Sequence, residues 1–265
     1  MIRLVAIDLD GTLLNSAKEI TSPTLEALHD LQKQVKIVIA SARPPRSVRP
    51  TYQALKLDTL QINYNGALIW DEPAKKVVFH HPMEPAEVLS LVAHARREFD
   101  EVLVSCEVQD KWYTDRADNT YTTETGKFFK PYLIAPLEEW CTLPITKLMF
   151  LGHPEMIEKL SLSLAQPFAK AFGMYRTDPE LIQVMNRRAS KAIAVERVAR
   201  HYGISMKEVL AIGDAPNDVA MIEQAGIGVA MDNAHPAVKA VADWIAPSND
   251  DHGVHAALVR FGLAK

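Results

Sequence analysis

A chain of 265 residues, 48% hydrophobic and 23% charged, carries enough apolar material for one large domain or two small ones. Its formal net charge of -4, its pI near 6.1 and the scatter of its Lys and Arg argue against a nucleic-acid partner, since binding a phosphate backbone needs a basic face. Only two cysteines occur, Cys106 and Cys141, neither in a metal-ligand pair, so no disulfide framework is expected and both read as packing residues.

The chain starts with an apolar, strand-like run over residues 3–9 rather than a basic-then-apolar leader, and the run is soon ended by Asp8, Asp10 and Gly11. No stretch approaches the roughly 20 apolar residues of a membrane span, so a soluble cytoplasmic protein with no membrane contact is expected. Ser22-Pro23 reads as an N-cap and first helical residue, opening a helix to residue 34. A buried strand (35–40), a helix (44–55) kinked at Pro50 and a third strand (60–64) follow. Residues 67–70 and 75–80 flank Asp71-Glu72-Pro73 as a hairpin.

From residue 83 to 185 the pattern changes. A helix (85–99) precedes strands at 102–108 and 112–114, a polar stretch at 115–130, a strand at 146–151, a helix at 154–165 and strands at 170–176 and 181–185. Strand–helix alternation then resumes: helices at 190–202, 216–225, 235–242 and 253–263, and strands at 209–213, 226–230 and 243–246. Alternation at both ends predicts an α/β fold with a doubly wound parallel-sheet core formed by residues 1–82 and 186–265. Residues 83–185 are predicted to form an inserted α+β domain.

In such sheets the ligand crevice lies beyond the carboxyl ends of the strands. Those ends carry Asp8-Leu9-Asp10-Gly11-Thr12, then Ser41-Ala42-Arg43, Asn65-Gly66 and Gly213-Asp214-Ala215-Pro216-Asn217-Asp218. Taken singly, Asp-Gly after a strand also makes a turn, and an Asp at a helix start also makes a cap. Together, four carboxylates at one sheet edge would repel and bind protons unless a counter-ion were present. All-oxygen ligation suits magnesium. Lys191 lies at a helix N-terminus, where the macrodipole disfavours a cation. It reads either as a solvated lysine or as a charge for a phosphate site, to which Ser41 would add a hydroxyl.

DLDGTLLN (residues 8–15), Ser41-Ala42-Arg43, YNGA (64–67), Lys191 and GDAPND (213–218) resemble the ordered motifs of the haloacid dehalogenase superfamily, and more narrowly its Cof-type phosphatases. Residues 231–254, MDNAHPAVKAVADWIAPSNDDHGV, are similar to that subgroup's closing pattern. Ala42 and Ala192 stand where Gly is usual or common, and Ala215-Pro216 fill the variable part of the last motif. None of these departures removes a reacting group.

The resemblance implies a magnesium-dependent phosphatase acting on a small phosphorylated metabolite, with a sugar phosphate as the expected class. Asp8 would be the nucleophile that becomes phosphorylated, and Asp10 the acid and then the base. Asp8, the Asp10 carbonyl and Asp214 would hold the metal, with Asp218 and Asn217 orienting its shell. Ser41 and Lys191 would bind phosphate. Arg43, Asn65 and Gly66 are candidate substrate contacts, although Arg43 reads equally as an ion pair and Asn65-Gly66 as a turn. The inserted domain would set specificity, with 115–130 its contributor. No histidine is expected as a ligand: His80 and His81 point opposite ways on a strand, and His252 and His255 lie away from every motif. A phosphotransferase or mutase of the same superfamily would use the same Asp8. A receiver-type phospho-acceptor module is disfavoured, because receivers are shorter and have no inserted domain.

Overall fold

The computed structural model describes residues 1–121, 123 and 125–265. The expected role of the polar stretch 115–130 therefore lies partly outside the described residues. Two compact units make up the chain: Met1–Val78 with Ser190–Lys265, and Phe79–Ala189.

In chain order the first unit runs β1 (Leu4–Ile7), α1 (Ser22–Leu31), β2 (Lys36–Ile39), α2 (Pro45–Leu55), β3 (Leu60–Asn63) and β4 (Leu68–Asp71), and β5 (Lys76–His80) leads into the second. The second continues with α3 (Pro85–Glu98), β6 (Leu103–Val108), β7 (Lys111–Thr114), β8 (Leu133–Ile134), β9 (Lys147–Leu151), α4 (Pro154–Phe168), β10 (Phe172–Asp178) and β11 (Leu181–Asn186). The chain returns to the first through α5 (Lys191–His201), β12 (Val209–Gly213), α6 (Val219–Gln224), β13 (Ile227–Met231), α7 (Pro236–Lys239), β14 (Trp244–Ala246) and α8 (Gly253–Arg260).

The first unit is built on a sheet of order β14-β13-β12-β1-β2 in which every neighbouring pair is parallel. β1 is paired on both edges and wholly buried, which is why it reads as an unbroken aliphatic run, LVAI. From β1 the chain winds outward to β2 on one side, whereas the returning chain lays β12 on the other. The winding reverses between these two strands, and Ile7 lies opposite Ile212. Beyond β2, Ala40 bridges Ile62 of β3, whose own sheet continues to β4 and β5.

The second unit has a six-stranded sheet, β10-β11-β9-β6-β7-β8, antiparallel except between β7 and β8. Period-2 alternation sorts its side chains. Val104, Leu148, Phe150 and Val184 join α3 (Leu91, Val92) and α4 (Ile157, Leu160) in one buried cluster, which also holds Trp140. Leu103, Met149, Leu151 and Leu181 form another. Full burial of each such side chain contributes about 1.5–3 kcal/mol.

The fold class matches expectation, and the differences are local. β1 stops at Ile7 rather than Leu9, because Leu13 N–H and Leu14 N–H donate back to the carbonyls of Asp8 and Leu9 and the backbone turns through Gly11 at φ 81°. The helix expected over 216–225 begins as a 3₁₀ turn, Pro216–Asp218, before α6. The helix expected over 235–242 contracts to α7. Thr21, not Ser22, is the N-cap of α1, and α2 runs through Pro50 as one helix. Both cysteines are free and buried. No helix among the described residues is long and apolar enough to cross a membrane.

Candidate active site

The parallel register sets the site's geometry. Because β1 and β12 run side by side and end together, Asp8 and Asp214 emerge next to one another, and Asp8 N–H donates to Ile212 O at 3.0 Å. Thr12, four residues past Asp8, donates its hydroxyl to Asp214 Oδ1 at 2.8 Å. A Cβ on Gly11 would fall 2.5 Å from Asp214 Oδ2, so glycine there answers both to the positive φ and to the closeness of the two loops.

Lys191 opens α5 and is 1% exposed. Its Nζ donates to Asp8 Oδ1 at 2.5 Å and to Asp218 Oδ1 at 2.6 Å. The other oxygen of Asp218 accepts from the backbone N–H groups of Asp214 (3.2 Å) and Ala215 (3.0 Å). Asp218, fully buried, thus ties the β12 loop to the lysine. Of the two readings of Lys191, the solvated lysine is ruled out by its burial.

Carboxylate oxygens of Asp8, Asp214 and Asp218 lie within 4.8 Å of one another. Burial pushes the Asp8 carboxyl well above the usual range against the pull of Lys191, and Asp218 and Asp214 push it the same way. Asp214 is raised as well, by burial first and then by Asp218, with the Thr12 hydrogen bond opposing. Burial alone would lower Lys191, but Asp8 and Asp218 outweigh it and hold the ammonium charged. With all three carboxylates charged, a single ammonium would leave negative charge uncompensated. An all-oxygen cluster of this kind fits a hard divalent cation.

Asp10 stands apart from that cluster. Arg43 grips it with two hydrogen bonds, Nε to Oδ2 at 2.7 Å and Nη2 to Oδ1 at 2.5 Å, and Lys18 Nζ adds a third at 2.9 Å. Burial opposes ionisation, yet these partners hold the Asp10 carboxyl below the usual carboxylate range. Of the two readings of Arg43, the structure contains the ion pair. Ser41 is buried after β2, where Ala40 N–H donates to Ile7 O. Its hydroxyl accepts from Arg43 N–H at 3.1 Å. Asn63, buried on β3, donates to the Arg43 carbonyl at 3.2 Å.

Asn65 and Asn217 meet: Asn217 Nδ2 donates to Asn65 Oδ1 at 2.8 Å. Gly66 lies at φ 95°, and a Cβ there would fall 2.2 Å from Ser190 O, the residue before Lys191. The Asn65-Gly66 turn therefore also abuts the start of α5. Thr12, Lys18, Asn63, Asn233 and Asn249 were not singled out from the sequence. Thr12 and the two later asparagines stand inside quoted motifs, and that position was their signal. Lys18 and Asn63 carried none.

The model of the haloacid dehalogenase-like hydrolase family matches residues 5–258. A Bacillus subtilis protein is 33% identical over 282 residues, covering 100% of both chains. The 5-amino-6-(5-phospho-D-ribitylamino)uracil phosphatase YitU of B. subtilis is 28% identical over 254 residues, covering 95% of this chain and 94% of its own. A haloacid dehalogenase-like hydrolase from Bacteroides thetaiotaomicron superposes with a TM-score of 0.88 at 28% identity, covering 98% of this chain and 100% of that one.

Proposed function

The chain belongs to the haloacid dehalogenase-like hydrolases and is a phosphatase; we propose that it is magnesium-dependent and transfers the phosphoryl group of a small metabolite first to Asp8 and then to water. The observation that carries this reading is the cluster Asp8, Asp214 and Asp218 around one buried lysine.

Asp8, Asp214 and the Asp10 carbonyl would hold the metal, whose bound charge would neutralise the meeting of an anionic nucleophile with an anionic phosphate. Lys191 steadies the Asp8 carboxylate through Oδ1 and supplies a positive charge beside the incoming phosphoryl oxygens. Asp8 attacks phosphorus, the bond to the leaving oxygen breaks, and that oxygen takes a proton from Asp10. In the second half Asp10 removes a proton from water, which attacks phosphorus and frees Asp8. Asp10, ionised on Arg43 and Lys18, is set for the base half. To act as acid, Asp10 must take up a proton and let go of Arg43. Asp218 and Asn217 orient the metal's surroundings, and Ser41 binds phosphate.

The substrate class proposed is a phosphorylated sugar or sugar alcohol. The phosphoribityl group in the substrate of the B. subtilis relative supports it. Specificity is assigned to the second unit, Phe79–Ala189, which spans the expected inserted domain of residues 83–185. That unit holds a cavity of about 380 Å³ whose lining includes Trp112, Tyr121, Phe129, Ser105 and Thr114.

Acid quench during turnover of phosphorus-labelled substrate is expected to leave label on the peptide containing Asp8. Asp8→Asn should abolish both label and activity, and chelator should abolish activity until magnesium is restored. Turnover persisting in Asp8→Asn, with no trapped adduct in the parent, would overturn the covalent route.

A further inference from the structure

We infer that the C-terminal segment from Asn233 to Asp250 positions the loop carrying Asp10, so that Asn233 and Asn249 are positioning residues for proton transfer to the leaving group. This rests on the reading of Asp10 as acid and base. Past Asp8, whose N–H still donates to Ile212 O, the chain leaves the sheet and turns back on itself, so the Gly11 and Leu14 carbonyls and the Ser16 N–H find their partners outside the sheet. The C-terminal segment supplies partners instead. Asn233 Nδ2 donates to Gly11 O at 2.8 Å, and Asn249 Nδ2 donates to Leu14 O at 2.9 Å. Asp250 accepts from Ser16 N–H and from the Ser16 hydroxyl, both at 2.7 Å.

The two asparagines act together. Asn233 Oδ1 accepts from Asn249 N–H at 3.0 Å, so one amide links the residue after Asp10 to the turn that holds Leu14. The same segment reaches the other catalytic loop, where His235 N–H donates to Asp214 O at 2.8 Å. The turn presenting Asn249 and Asp250 is itself closed tightly. Ser248 O accepts from Asp251 N–H at 3.0 Å and Gly253 N–H at 3.1 Å, and the Ser248 hydroxyl donates to Asp251 at 2.6 Å. A Cβ on Gly253 would fall 2.1 Å from Pro247 O, so only glycine fits there.

Asn233 is exposed, and water competes for bonds of that kind, so they add little to stability. Their consequence is where the loop sits. Asp10 has to meet a leaving oxygen and later a water, and a displacement of about 1 Å is enough to slow such a step. A merely structural role would lower the active fraction and depress all substrates equally. A positioning role should depress most the substrates that most need a proton.

The test uses the full chain with magnesium and a series of substituted phenyl phosphates whose leaving phenols differ in acidity. Such substrates keep one shape, and kcat/KM reports phosphorylation of Asp8. Asn233→Ala is expected to lose roughly tenfold with phenyl phosphate and less than about twofold with 4-nitrophenyl phosphate, whose phenolate leaves with little help. Asn249→Ala should tilt the series the same way, and the double variant should match the worse single, since the two act as one unit. Thermal melts check folding, and if one variant fails to fold the other carries the test. Asp10→Asn is the reference and should tilt the series most steeply. A uniform loss, or none, in both asparagine variants while Asp10→Asn tilts the series overturns the inference alone. No tilt in Asp10→Asn overturns the reading of Asp10, and the inference with it.

Discussion

The two units carry polar residues in opposite ways. In the first, a parallel sheet gathers them at one edge: Asp8, Ser41, Asp214 and the turn at Asn65 all follow strand ends, and Lys191 and Asp218 are drawn in between. In the second, an antiparallel sheet spreads them over its strands, with Ser105, Glu107, Thr114 and Lys147 buried at alternate positions on β6, β7 and β9. A parallel sheet points every strand the same way, so loops far apart in the chain converge and a few groups can be brought together at one edge. An antiparallel sheet offers a broad face instead, where the identity of each side chain matters to what it touches.

Three experiments probe that contrast, beginning with the largest effect. Lys191→Met leaves Asp8 and Asp218 without their shared cation. It is expected to cut activity about 10²–10³-fold on every substrate alike. Because it strands buried carboxylates, it should also cost about 3–5 kcal/mol in stability, part of it restored by magnesium in a thermal melt. Selective loss on some substrates only would mean that the first unit also chooses between them. Next, Trp112→Ala removes an aromatic wall of the cavity in the second unit. The ratio of kcat/KM between a sugar phosphate and a small aryl phosphate should shift by about tenfold, whereas Lys191→Met leaves that ratio alone. An unchanged ratio would remove specificity from that cavity.

The smallest effect concerns pH. Thr146 Oγ1 accepts from Gln109 N–H at 2.8 Å and shares a 2.8 Å hydrogen bond with His80 Nε2, which a neutral imidazole can make in either tautomer. Burial, helped by His81, pushes His80 down to about 4. An unfolded histidine titrates at about 6.5, so between those values the unfolded chain binds the extra proton. This group's stabilising contribution is therefore complete above the unfolded value and is lost as pH falls towards 4. Melts at pH about 7.5 and about 5 should show a smaller drop for His80→Gln than for the parent. Equal drops would place the pH sensitivity elsewhere.

The sequence by itself determined the α/β class and marked Asp8, Ser41 and Asp214 as polar residues that follow strand ends. An aliphatic run such as Leu4–Ile7 reports burial on both faces, and an aspartate that ends it has few structural reasons to be there. The apolar pattern carries the strand through Leu9, because nothing local says whether the backbone leaves the sheet at Ile7 or only at the Asp10-Gly11 turn. Only the tertiary structure decided partners. Arg43 has no neighbour in sequence that names Asp10, and Lys191 none that names Asp218. Asn233 and Asn249 stand in the motif over residues 231–254, but only the fold carries them to the Asp10 loop. Helix and strand follow from the spacing of apolar residues along the chain, but a hydrogen bond between side chains more than 200 residues apart, such as Thr12 to Asp214, exists only once the sheet has set β1 beside β12.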